Sequence, residues 1–186
     1  MRRILCLSCS PRKGGNTDFC TELIAGEIRK APGVEVAIAR LDDYDIRHCL
    51  GCRRCMELKD CVIRDDDFHK LWDRIAAADV VIQASCVYWL GPPGKHKDLI
   101  DRSHAFYARG RGVLAGKSAY TVSVAAEFGF QQHEACVECW LDWYGAEVKG
   151  RIRVKARELG DAKASSATIA ELKRFAAQIA AAEADW

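Results

Sequence analysis

The sequence predicts an α/β fold, a five-stranded parallel sheet of order 2-1-3-4-5 covered by helices on both faces. Short apolar or alternating runs recur between stretches of helical period, so strands and helices alternate along the chain. Residues 3–9 and 79–85 are apolar almost throughout or at their centres, as in strands buried on both faces. Residues 34–38 and 148–154 carry their large apolar side chains at alternate positions, which suits the two edges of that order.

The first strand runs into Ser10–Thr17, a loop of hydroxyls, glycines and cations. Phe19, Cys20, Leu23, Ile24 and Ile28 then fall at helical spacing. A strand leading through such a loop into a helix makes an anion site, because the first amides of a helix lack partners and its amino end is partially positive. Ser10, Asn16 and Thr17 add donors and Arg12 adds charge. The plainer reading is a hydrophilic turn with an Asn or Thr helix cap. The loop has neither the dinucleotide glycine spacing nor the Walker lysine, so a mononucleotide phosphate is the candidate ligand.

Val34, Val36 and Ile38 form the second strand, half exposed. Asp65, Asp66 and Asp67 offer acidic caps ahead of the helical stripe Phe68, Leu71, Trp72 and Ile75. After the third strand, Cys86–Gly94 is an aromatic loop in which Val87, Tyr88 and Trp89 can cover a planar ligand, or simply pack into the core. Leu99, Ile100, Phe106 and Tyr107 mark the next helix, and 117–124 the fourth strand. Cys136, Cys139, Trp140, Trp143 and Tyr144 make another helical face. Val148, Ile152 and Val154 form the fifth strand, and Ile169, Leu172, Phe175, Ala176 and Ile179 an amphipathic closing helix. With no repeat or linker, residues 1–186 read as one domain with a cysteine-rich excursion at 48–62. Ligands of such a sheet bind beyond the strands' carboxyl ends, where the phosphate loop, the cysteine segment and the aromatic loop are all expected to emerge.

That excursion is the densest chemistry in the chain. Cys49, Cys52, Cys55 and Cys61 are separated by two, two and five residues. Two-residue gaps curl successive thiols around one small centre and the longer gap returns a fourth, so a single iron-sulfur cubane fits. Tetrahedral zinc and unmetallated redox-active thiols are the alternatives. Arg53 and Arg54 can offset cluster charge or dock an acidic donor, although two solvated arginines are the simpler reading.

Composition narrows the class. A net charge of +2 with scattered cations gives no nucleic-acid footprint, and no apolar stretch is long enough to span a bilayer. The apolar run after Met1 to Arg3 is too short for a signal peptide, so a cytoplasmic protein with ten reduced cysteines is expected.

The segment Ser10–Thr17, the cysteine run followed by Val62–Asp66, and Val87–Trp89 ahead of Leu99–Arg102 closely resemble the iron-sulfur flavoprotein family. That family belongs to the flavodoxin-like NADPH-dependent FMN reductase superfamily, and residues 3–125 carry the resemblance best. It implies a flavodoxin-like three-layer sandwich. It also implies that Ser10, Arg12, Asn16 and Thr17 hold an FMN phosphate, that Val87, Tyr88 and Trp89 line the flavin ring, and that Cys49, Cys52, Cys55 and Cys61 ligate a 4Fe-4S cluster. Proteins of this kind pass electrons from ferredoxin or a similar donor to small-molecule acceptors and associate as homodimers or homotetramers. NAD(P)H is a further candidate partner on this resemblance.

Three positions depart from the family pattern. Cys9 replaces a glycine, Cys86 replaces a proline, and 125–133 replaces a glycine-rich loop, which bears on the ring contacts and nicotinamide access from that side. The rival readings are a cluster-free NAD(P)H-dependent FMN or quinone reductase, and a non-catalytic zinc-binding or thiol redox-sensing protein. Cys6 and Cys9 fall on opposite faces of a strand, Cys20, Cys136 and Cys139 read as small core residues, and Cys86 is the one extra thiol placed near the expected flavin. The five histidines show no triad or metal spacing.

Overall fold

Five parallel strands form one sheet in the order β2-β1-β3-β4-β5 in the computed structural model, which describes residues 1–110 and 112–184. They are β1 (Arg2–Ser8), β2 (Val34–Arg40), β3 (Val80–Cys86), β4 (Ser118–Ala125) and β5 (Glu147–Lys155). The helices are α1 (Asn16–Ile28), α2 (Cys55–Leu58), α3 (Phe68–Ala77), α4 (Gly94–Ser103), α5 (Phe130–Trp143), α6 (Asp161–Ala164) and α7 (Ser166–Ala182). A 3-10 segment, His104–Arg109, continues α4. This is the flavodoxin-like fold, with the strand order that the burial pattern of the sequence predicts.

Alternation along each central strand sends neighbouring residues to two cores. Ile4, Cys6, Val80, Ile82, Tyr120 and Val122 pack with α1 and α7, whereas Leu5, Leu7, Cys9, Val81 and Ala119 pack with α3, α4 and α5. Cys6 and Cys9 do lie on opposite faces, and Cys20 is a core residue. β5 differs from its sequence pattern. Its register against β4 skips Lys149, pairing Ala119 with Val148 but Tyr120 with Gly150. That bulge turns the strand over, so Val148 packs on the α3–α5 side while Ile152 and Val154 pack on the other.

Several buried polar groups hold the layers in register. Glu183, just past α7, takes bonds from Arg2 at 2.8 Å, Tyr120 at 2.8 Å and Lys149 at 3.2 Å, tying the end of the described chain to β1, β4 and β5. His96 of α4 is fully buried between Ser85, 3.0 Å away, and Gln83, and His133 of α5 sits 3.2 Å from Ser123. Burial pushes the His96 pKa down to about 3 and that of His133 down to about 4, so both imidazoles are neutral core groups.

Candidate functional site

The loop between β1 and α1 is shaped by one acid. Asp18, buried in the first turn of α1, accepts from the Gly14 amide at 2.8 Å, from Arg40 Nε at 2.8 Å and from the Ser8 hydroxyl. Ser10 Oγ accepts from the Arg12 amide at 3.1 Å. At Gly15 a Cβ would stand 3.0 Å from the Arg12 carbonyl, so a side chain there would push the tight curl open by a few tenths of an ångström. No side chain caps α1, and its first amides face the loop beside the exposed Arg12. These features fit a phosphate. Asn16 serves differently from the expectation. Its side chain donates to the Glu158 carbonyl at 2.9 Å and accepts from the amides of Gly160 and Ala162, clamping the loop after β5, which leaves its backbone N–H for an anion. Thr17 and Ser10 are both buried.

The aromatic loop leaves β3 as a tight reversal. Tyr88 and Gly91 exchange backbone bonds of 2.8 and 3.0 Å, and both central residues are left-handed, Trp89 at φ 48° and Leu90 at φ 65°. Turns of this kind prefer Asn-Gly, so Trp-Leu here is strained, and Trp89 is held 97% exposed. Val87, Trp89 and Leu90 form one wall of a cavity of about 550 Å³ whose other wall is Ala125–Phe128 with Arg157. Gly129, at φ 90°, lets the walls meet, since a Cβ there would stand 2.9 Å from Val87 Cγ1. Arg157 pairs with Glu127 at 3.3 Å on the rim. Tyr88 turns the other way, into a cavity of about 90 Å³ shared with Cys9, Ser10, Pro11 and Lys95. Cys86 joins the loops. Burial raises its thiol pKa, opposed by hydrogen bonds from Ser10 and Tyr88. The phosphate loop and the aromatic loop thus form one continuous edge at the carboxyl ends of β1 and β3.

The cysteine segment lines neither of these two cavities. Cys49 and Cys52 are exposed, while Cys55 and Cys61 pack partly against the α3–α5 core. Left-handed residues at Gly51, Arg53 and Lys59 curl the segment, and Gly51 N–H reaches Cys49 Sγ at 3.5 Å. Burial raises the Cys55 pKa, and the charges of Cys49, Cys52 and Cys61 raise it further, so all three other thiols lie within its electrostatic reach. His104 Nδ1 lies 3.6 Å from Cys55 Sγ. Among the described residues no three His, Cys, Asp or Glu side chains are arranged around a single metal ion. The donor chemistry, four thiols in one curled segment, suits a cluster.

The segment lies where its anchors hold it. Asp66 pairs with Arg102 at the end of α4, the two side chains being fully buried, and Asp60 pairs with Arg109 at 3.1 Å and His69 at 2.8 Å. Asp66 therefore does more than cap α3, although it also accepts from the Phe68 amide at 3.2 Å. The cysteine segment consequently packs along α4 and α5, with Cys55 3.6 Å from His104 at the end of α4. A groove of about 930 Å³ runs there between Cys49, Gly51, Arg53 and Met56 on one side and Cys136, Cys139, Trp140 and Trp143 on the other. Cys139 is exposed and Cys136 half-buried, so this pair lines the groove and is not core as expected.

Residues 2–158 match the family model of NADPH-dependent FMN reductase. The chain belongs to the NADPH-dependent FMN reductase family. Within that family it is similar to proteins named iron-sulfur flavoprotein. It is 38% identical to one from Archaeoglobus fulgidus over 101 residues, 54% of this chain and 48% of that protein. It is 30% identical to one from Methanosarcina thermophila over 152 residues, 80% of this chain and 77% of that protein. The chain thus spans about half of the first relative's length and about three quarters of the second's. In three dimensions it resembles RosB, solved with bound 8-demethyl-8-formylriboflavin-5'-phosphate, with a TM-score of 0.76 at 16% identity over 95% of this chain and 76% of that one.

For this FMN reductase family member, sequence reasoning missed Asp18, Arg102 and His104. Asp18 had one readable clue, an acid in the first turn of the helix that follows the loop. Arg102 and His104 had none, because their partners lie more than 35 residues away in sequence.

Proposed function

We propose that the protein is an FMN-dependent oxidoreductase that also carries a 4Fe-4S cluster, moving electrons between a one-electron donor such as ferredoxin and small-molecule acceptors. The observation that carries the flavin half is the continuous edge formed by the uncapped start of α1, Ser10, Cys86 and Tyr88, leading from an anion loop to the Val87–Trp89 cavity. The α1 amides, Ser10 and Arg12 hold the phosphate, Thr17 shapes the helix start beneath it, and Val87 and Trp89 cover the ring with Tyr88 between ring and phosphate. Bound FMN exchanges electrons singly or in pairs and a cluster exchanges one at a time, and the chain's part is to bind, orient and shield them.

Cys49, Cys52, Cys55 and Cys61 are the proposed cluster ligands. Support comes from the curl of the segment at Gly51, Arg53 and Lys59, which carries all four thiols, and from the names of the relatives. The cysteine groove and the flavin cavity have no lining residue in common. Electrons then pass most directly between copies, with the cysteine groove of one subunit facing the flavin edge of another in a homodimer or homotetramer. The proposed setting is the cytoplasm. No helix among the described residues is long and apolar enough to cross a membrane.

Anaerobic purification followed by an absorption spectrum and iron, zinc, sulfide and flavin analysis tests the reading. Iron with sulfide and FMN supports it. Flavin alone points to a cluster-free NAD(P)H-dependent reductase, and zinc without flavin to a binding or thiol-sensing protein.

A further inference from the structure

Among the described residues that line the cavity of about 550 Å³, Arg157 is the one cation and Glu127 the one acid, and the rest of the lining is apolar. The wall that carries Arg157 is fixed through its backbone. Ala156 N–H donates to the Ala125 carbonyl at 2.8 Å, and Asp161 accepts from the amides of Arg157 at 2.9 Å and Glu158 at 2.7 Å. Asn16 pins the same loop to the phosphate loop, and on the opposite wall the Val87 amide reaches the Val124 carbonyl at 2.8 Å. The guanidinium therefore stands on a preformed edge.

Its side chain is held less firmly than its backbone. Arg157 Nη2 meets Glu127 Oε2 at 3.3 Å, with 65% and 68% of the two side chains exposed. An ion pair so open to water contributes little, so a better placed anion can displace the carboxylate. A planar guanidinium also matches two oxygens of a sulfonate, carboxylate or phosphate at once. We propose that Arg157 is a specificity-determining residue that selects planar aromatic acceptors bearing an anionic group. The ring enters between Trp89 and the Ala125–Phe128 wall, and the anion replaces Glu127 on the guanidinium. This rests on the flavin reading above.

The test compares anthraquinone-2-sulfonate with its neutral sulfonamide. Dissociation constants are measured by equilibrium dialysis against the oxidised full chain, whose FMN content is determined first. Wild type is expected to bind the sulfonate about tenfold more tightly, as one hydrogen bond to a charged group supplies, and to lose that preference as salt rises. Arg157→Gln keeps the backbone bonds to Asp161 and is expected to erase the preference, and Arg157→Lys to restore part of it. Glu127→Gln, which frees the guanidinium, is expected to widen the preference about threefold. If Arg157→Gln fails to fold, the Glu127→Gln comparison decides, wider in support and unchanged in contradiction. A flavin-loaded Arg157→Gln protein that keeps the full preference overturns the proposal, as does a flavin-loaded wild type that has none. A wild-type chain without FMN overturns the flavin reading instead and the acceptor role with it, so the two failures are distinguishable.

Discussion

Asp18 and Arg40 meet at 2.8 Å beneath the phosphate loop, one at the start of α1 and the other at the end of β2. The pair lies almost wholly out of solvent, and the same carboxylate holds the Gly14 amide at 2.8 Å. An acid below an anion site would repel the ligand if it were free, but Arg40 neutralises it, and its remaining role is to fold the loop. Asp18→Asn turns one of the two accepting oxygens into a donor, so Ser8, Gly14 and Arg40 can no longer all be held and the loop loosens. It is expected to destabilise the chain by about 2 kcal/mol in urea unfolding and to weaken FMN binding, measured by quenching of flavin fluorescence, by at least about tenfold.

Gly129 tests the contact between the two walls of the ring cavity. Gly129→Ala forces a Cβ to 2.9 Å from Val87 Cγ1 in a left-handed backbone. A loss of about 1 to 3 kcal/mol is expected by thermal or urea unfolding, together with weaker flavin binding.

Trp89 gives a less intuitive outcome. Its left-handed backbone is strained and its side chain almost fully exposed, so Trp89→Gly relieves strain at little packing cost. Stability is expected to rise by up to about 1 kcal/mol while flavin affinity falls. A variant that lost stability and kept full affinity would remove Trp89 from the ring site.

The buried histidines predict acid sensitivity. His96 and His133 have folded pKa values near 3 and 4, below the ordinary value near 6.5. Between those limits the unfolded chain binds more protons than the folded one, so stability falls as pH falls from about 6.5. At its steepest the loss is about 1.4 kcal/mol per pH unit for each histidine. Urea midpoints at pH 7 and pH 5 measure it, and His133→Gln is expected to flatten the difference. Equal slopes in both proteins would contradict the assignment.

What the sequence made legible follows from the range of the interactions involved. Strand order could be inferred because burial on one face or two is written into the alternation of β1, β2 and β3. The Val148 side was not legible, because a bulge at Lys149 is set by register against β4 and leaves the parity of the sequence unchanged. The phosphate loop was readable as a local unit, but the use of the Asn16 side chain was not, since its partners at 158–162 arrive from the far end of the sheet. The position of the cysteine loop depends on Asp66 finding Arg102 and Cys55 finding His104, pairings that no local pattern announces. Cys136 and Cys139 were expected in the core because aromatic neighbours surround them, yet that helical face is the wall of an open groove.

The most direct measurement is iron and FMN per chain in anaerobically purified wild type and Cys55→Ser. The account predicts about four irons and one FMN in wild type, with iron lost and FMN retained in the variant, because the two centres occupy separate sites. Full iron in the variant, or loss of flavin together with iron, would contradict it.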